Sequence, residues 1–233
     1  MGDRWRSYVL GGACAAFVVI PTVGPLLGKG EQTRRYDTVI TPPDYAFVVW
    51  APIFAGSALA TGNQLLPGNR ARPVSRRTGW PLAGAFATNA LWSLAAQGDR
   101  FALTPFLLPV ATAFAAVAHA RQQRLPAPAG WAAATPASTG LLLGWTALAS
   151  AVNVAAGAKL AGARESVAAS VAGVLGVAGA VTAGVAASRR GRLPLALASG
   201  WGLLTTALYP RRPRGVRIAA AAGAAAIAAA ARR

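Results

Sequence analysis

Acidic side chains are scarce in this sequence: six Asp and Glu stand against 23 Lys and Arg in 233 residues, a net charge of +17. Histidine and cysteine are scarcer still, with one of each. A lone cysteine, Cys14, allows no intramolecular disulfide, and together with a lone histidine it cannot complete a zinc ligand set. His119 closes an apolar run beside Arg121, where it reads as an interfacial residue rather than a ligand or base. General acid–base chemistry needs a titratable group in a protected site. Asp3, Glu31, Asp37, Asp44, Asp99 and Glu165 all fall outside or at the ends of the apolar runs. No Gly-rich phosphate loop, HExxH or Ser/His/Asp set is present. The expectation is a protein that is not an enzyme, with no catalytic residue, no metal site and no obligate cofactor.

Charge of either sign is itself thin. Charged residues make up 12% of the chain, where a soluble domain carries about 25%, while 55% of residues are hydrophobic. Too little polar surface remains to cover a core in water. The basic excess does not point to nucleic acid, because it forms no basic face; the arginines come in short groups separated by long uncharged runs, the pattern of membrane loops.

A helix crosses the hydrocarbon core with about 20 largely apolar residues. Seven runs meet this: Tyr8 to Leu27, Tyr45 to Leu66, Trp80 to Ala96, Phe101 to Ala120, Ser138 to Gly157, Val167 to Ser188 and Leu193 to Tyr209. An eighth, Val216 to Ala231, is short and almost all Ala, with Arg217 near its start where the side chain can snorkel to the headgroups. The fold class is therefore all-α, a polytopic integral membrane helical bundle. Arg4 and Arg6 ahead of the first run mimic a signal peptide, but the runs that follow make it a first span. Leu10 to Cys14 misses the lipoprotein cleavage pattern by one residue, so Cys14 reads as a small packing residue. With eight spans, Lys and Arg divide 13 to 10 in favour of the N-terminal side, which favours a cytoplasmic N-terminus. Arg dominates Lys by 21 to 2; with the high Ala content this suggests a GC-rich bacterial genome and a cell-membrane location.

Local signals add detail. Gly140, Gly144, Gly173, Gly176, Gly179 and Gly184 read as helix-packing residues, since small side chains let backbones approach in lipid. Pro21 and Pro25 late in the first run, and Pro105 and Pro109 early in the fourth, should kink or end helices. Leu26 to Pro43 is the longest polar connection, about 18 residues, the length of a functional lid or binding loop; it contains Lys29, Arg34, Arg35 and Tyr36. Its end, Thr41-Pro42-Pro43-Asp44, is written like a helix start with Thr41 as N-cap.

What remains inside the apolar runs is aromatic and amide. Trp5, Trp80 and Trp131 sit at run edges and suit an interfacial belt. Trp50, Trp92 and Trp145 lie deeper, with Asn89 and Asn153, and polar groups at such depth need partners or a cavity. Helical spacing puts Trp50 with Phe54, and Asn89 with Trp92, on shared faces, and Trp145 with Asn153 on one face at different depths. The segment Pro42-Pro43-Asp44-Tyr45-Ala46-Phe47-Val48-Val49-Trp50-Ala51-Pro52-Ile53-Phe54 resembles the opening of the second helix in the translocator protein family, the tryptophan-rich sensory proteins (TspO/MBR). Asn89-Ala90-Leu91-Trp92-Ser93 resembles the Asn-x-x-Trp-Ser of that family's third helix. Trp145 to Asn153 resembles its fifth-helix Trp-x-x-Phe-Ala-x-x-Leu-Asn.

The resemblance covers about residues 1–157 and implies a five-helix TspO-like core there, with residues 158–233 forming two or three additional transmembrane helices, as in longer bacterial variants. It implies a membrane receptor whose pocket, open toward the long first loop, binds a hydrophobic planar ligand such as a porphyrin. Trp50, Phe54, Asn89, Trp92, Trp145 and Asn153 are the ligand-binding residues it assigns, indoles as apolar walls and asparagines as hydrogen-bonding groups. The departures are Phe54 where the family has Tyr, Leu94-Ala95 after Trp-Ser, and no Tyr after Asn153, so the likeness does not extend to sterol recognition. Relatives commonly form dimers, which makes a homodimer in the lipid bilayer an expectation. The alternative is a secondary transporter of a small hydrophobic or amphipathic solute; such proteins usually carry intramembrane acids or broken helices, and no acid is embedded here.

Overall fold

The computed structural model describes residues 2–28, 36–98 and 100–232. Those residues form eight α-helices and no strand: α1 (Gly2–Leu26), α2 (Trp50–Leu65), α3 (Pro73–Gln97), α4 (Thr104–Gln122), α5 (Ala134–Leu160), α6 (Val167–Ala187), α7 (Arg192–Leu208) and α8 (Arg214–Ala231). Short 3₁₀ turns lead into α2, α4 and α5. The eighth run is a helix, and its half-buried Arg217 is held against α7, where Nε donates to the Ala207 carbonyl 2.9 Å away.

Six of the eight helices are long and apolar enough to cross a membrane; α3 and α7 are the exceptions. Both are flanked by two other helices and keep one apolar face outward, with Leu91 and Leu94 of α3 and Leu193, Leu197, Leu204 and Leu208 of α7 exposed. α3 packs between α1 and α4, and α7 between α5 and α8. Their polar residues, among them Thr78, Asn89 and Ser93 on α3 and Ser199, Thr205 and Thr206 on α7, are buried against protein. A helix shielded on its flanks by others does not need a lipid-like perimeter. The chain is thus a multi-pass helical membrane protein with two linked cores. One gathers Phe17, Ile53, Phe86, Ala115, Leu142 and Trp145 from the first five helices. The other gathers Val181, Val185, Leu195, Leu203, Val216 and Ile227 from the last three. α7 serves both, since Ala198 belongs to the first core and Leu195 to the second.

The α5–α7 contact explains two of the six glycines. A Cβ on Gly144 would stand 2.5 Å from the Leu195 carbonyl oxygen, and one on Gly140 would run into the Gly191 carbonyl. Gly173, Gly176 and Gly179 of α6 do not pack helices as the sequence suggested: a Cβ at any of them meets nothing within 4 Å. They face outward because α6 leans on α8 with its valine stripe, Val174, Val181 and Val185.

Three further expectations change. α1 continues through Pro21 and ends only at Leu26, one residue past Pro25. Thr41 caps no helix, because Pro42 and Pro43 keep the chain extended and the first turn begins at Asp44; instead Thr41 Oγ1 accepts from the Thr38 amide at 3.0 Å and tightens the preceding turn. His119 is not an interfacial side chain. It is buried where α4, α5 and the α6–α7 corner meet, with Nε2 2.8 Å from Ser188 Oγ and Nδ1 3.3 Å from Thr139 Oγ1. Trp5, Trp80 and Trp131 are exposed, as belt residues would be.

Candidate functional site

The pair of prolines that displaces Thr41 also positions the site. After them the 3₁₀ turn Asp44–Val49 delivers Trp50 as the first residue of α2. Its indole is the hub of an aromatic cluster. It stacks on Phe54, one turn later, with centroids 5.4 Å apart and planes at 18°, and on Trp92 of α3 at 6.5 Å and 28°. Phe17 of α1 and Trp145 of α5 meet it edge-on, at 5.9 Å and 6.1 Å. Offset stacked and edge-to-face pairs are the favourable arrangements of aromatic quadrupoles. Four elements are therefore fixed to one ring.

Two cavities flank this hub. The larger, about 310 Å³, lies between α1, α2 and α3 and is lined by Phe17, Phe47, Trp50, Phe54, Asn89 and Trp92, with Pro21 and Pro25 of α1, Asp44 and Ser93 around them. The smaller, about 60 Å³, lies on the α5 side, where Trp145, Leu148, Val152 and Asn153 face Trp50 and Trp92 beneath Tyr36, Thr41 and Pro42. All six residues assigned by sequence thus gather around the Trp50–Trp92 pair, but in two groups. Trp50, Phe54, Asn89 and Trp92 line the larger cavity; Trp145 and Asn153 line the smaller.

The two asparagines differ in what their amides have left to offer. Asn153 Oδ1 accepts from Trp92 Nε1 at 2.9 Å, and Nδ2 donates to the Ala149 carbonyl at 2.9 Å. Its amide is occupied, and its work is to set the angle of the Trp92 indole. Asn89 Nδ2 donates to the Ala85 carbonyl at 2.8 Å, but Asn89 Oδ1 is buried without a partner. A buried acceptor left unpaired costs about 1–3 kcal/mol, and the residue that carries this one lines the larger cavity. No Lys or Arg lines the larger cavity among the described residues.

The smaller cavity has a roof that sequence reasoning did not assemble. Tyr36 stacks flat on Phe101 ahead of α4 at 3.4 Å and 12°. Arg212, at the α7–α8 corner, clamps Asp37 with both Nη atoms, at 2.9 and 2.7 Å, and donates from Nε to the Thr41 carbonyl at 2.9 Å. From the α5–α6 corner, Lys159 Nζ donates to the Asp37 carbonyl at 2.7 Å and Glu165 Oε1 accepts from the Val39 amide at 3.1 Å. The loop cations Lys29, Arg34 and Arg35 lie outside the described residues. Phe17 and Phe47 were also missed; one phenylalanine in an apolar helix carries no sequence signal beyond packing. Charge-assisted bidentate bonds are the strong ones, so Arg212→Ala should raise amide exchange at Thr38, Val39 and Thr41 about ten-fold or more with the helices unchanged. Hydrogen-exchange mass spectrometry reads this, and equal exchange in both proteins would remove Arg212 as the clamp.

The last three helices are tied to the site from another side as well. Trp201 Nε1 of α7 donates to the Ala46 carbonyl at 2.8 Å, bracing the turn that carries Trp50. No curated protein and no solved structure matches the chain. The sequence model of one family, described as TSPO-like protein, matches residues 13–232, from the middle of α1 to the end of α8. With its aromatic hub on α2, α3 and α5 and its three further helices inside that match, the chain belongs to the TSPO-like protein family.

Proposed function

We propose that this membrane-embedded binding protein takes a flat, hydrophobic ligand of the tetrapyrrole type into the larger cavity, against the Trp50–Phe54–Trp92 wall. The observation that carries this is the wall of stacked rings lining the cavity, beside which Asn89 holds a buried, unpartnered Oδ1 that a turn of its side chain would present to a ligand. The three rings are near parallel, which suits a ligand that is itself a plane. Trp92 has its N–H already satisfied by Asn153, so it presents an apolar face. Asn89 then supplies the directional contact, and it calls for a ligand N–H or O–H. A pyrrole N–H within a flat apolar ring meets both demands. The volume, about 310 Å³, lies at the lower end of the range for small-molecule sites, so a full tetrapyrrole would extend out of the cavity. The Arg-rich, Ala-rich composition supports a bacterial cell membrane as the setting.

Titration of the purified protein with protoporphyrin IX should quench tryptophan fluorescence. In Asn89→Leu the affinity should fall about ten-fold, while thermal stability holds or rises slightly, because a buried unpaired acceptor has been removed. A variant that binds as well as the parent would defeat the assignment. One that loses binding and stability together would show Asn89 to be structural.

A further inference from the structure

α5 and α6 are consecutive in the chain but touch only sparsely. Between them runs a groove of about 480 Å³. Its walls are small and uncharged, with Ala147, Ala151 and Val154 on α5 and Ala169, Gly173 and Val177 on α6, and all of its charge is at one end, in Lys159, Arg164 and Glu165. Glu165 is committed to Lys159 at 3.2 Å and to the Val39 amide. Arg164 is exposed, and among the described residues it makes no ion pair. The rim therefore carries one surplus positive charge. Ala147 and Lys159 are twelve residues apart on α5, hence about 18 Å along the axis, close to one leaflet of a hydrocarbon core about 30 Å thick.

We propose that this groove is a binding site for an anionic phospholipid, one acyl chain lying between α5 and α6 and the monoanionic phosphodiester at Arg164. Charge complementarity selects the headgroup, since one uncompensated cation sits where the apolar walls end. Groove length selects an acyl chain, since the uncharged walls run for the depth of a leaflet and no further. Gly173 keeps the groove open, because a Cβ there meets nothing within 4 Å and a larger side chain would project into the space instead of into a neighbour. The groove shares no lining residue with the larger aromatic cavity and does not depend on what occupies it.

Native mass spectrometry of the detergent-purified protein, incubated with equal amounts of phosphatidylglycerol and phosphatidylcholine, tests this. The parent should retain phosphatidylglycerol in preference. Arg164→Ala should lower that preference about five-fold. Gly173→Leu should lose bound lipid of either headgroup while keeping the parent's unfolding temperature. Excess glycerol phosphate should not displace the lipid. Equal retention of the two lipids by the parent, or adducts unchanged in Gly173→Leu, would overturn the proposal. So would displacement by glycerol phosphate, which would make the site one for a free phosphate. A dimer that Gly173→Leu dissociates, with lipid adducts unaltered, would also overturn it by assigning the groove to a second copy of the chain.

Discussion

Gly144→Leu should lower the stability of the bundle by about 3 kcal/mol or block its assembly, whereas Gly176→Leu should leave it within about 0.5 kcal/mol. Both substitutions replace a glycine within a helix that the sequence marks as membrane-spanning, and both gain the same helix propensity. They differ in what a side chain meets. At Gly144 the first carbon alone would stand 2.5 Å from the Leu195 carbonyl oxygen and 3.2 Å from Ala198 Cβ and the Ser199 nitrogen. Backbone atoms cannot rotate away, so α7 would have to move. That shift would reach Leu195 in the second core and Ala198 in the first, because α7 is shared by both. At Gly176 nothing lies within 4 Å, and a leucine there simply faces lipid. Chemical unfolding in mixed micelles measures the difference. Equal losses for the two variants would mean that the α5–α7 crossing is not the close contact described here.

That contrast also shows where sequence reading stops. Apolar length and charge spacing locate the helices, because the bilayer sets a length and excludes charge regardless of which helix neighbours which; they miss the charged first turns of α1 and α3, which begin at Gly2 and Pro73, ahead of the apolar runs. The motifs around Trp50, Trp92 and Trp145 likewise mark the aromatic hub, since indoles and amides at hydrocarbon depth are costly without a use. Neighbour choice is a different matter. Gly144 and Gly176 look alike in sequence, and only the lean of α6 onto α8 separates them. Thr41 reads as a cap until the extended proline pair pushes the helix start past it. Asn89 and Asn153 look equivalent, yet one amide is spent on Trp92 and the other keeps a free acceptor. The Arg212–Asp37 clamp joins residues 175 positions apart in the chain, beyond any local pattern.

Trp50→Ala should cost about 3–5 kcal/mol of stability and weaken protoporphyrin binding more than ten-fold, whereas Trp145→Ala should cost similar stability with an affinity change of no more than about three-fold. The hub position of Trp50 accounts for the first effect. Its ring touches Phe17, Phe54, Trp92 and Trp145, so truncation leaves a void that no single neighbour can fill, and it opens the larger cavity into the smaller one. Each aromatic pair adds about 0.5–1.5 kcal/mol beyond its buried area, which keeps the loss within that range although Trp50 is only partly buried. Trp145 is buried as deeply as a core residue, 2% exposed. It lines only the smaller cavity and reaches the larger one through Trp50 and Phe47, both of which it meets edge-on. Its removal therefore empties space behind the wall and leaves the wall's parallel rings facing the ligand. Trp50→Phe, which keeps a ring at the hub, should recover most of the stability and part of the binding. The comparison assigns the ligand to a cavity. If Trp145→Ala proves the more damaging to affinity, the ligand sits on the α5 side beneath Tyr36 and Pro42, and the Arg212-clamped roof becomes the part of the protein that must open to admit it.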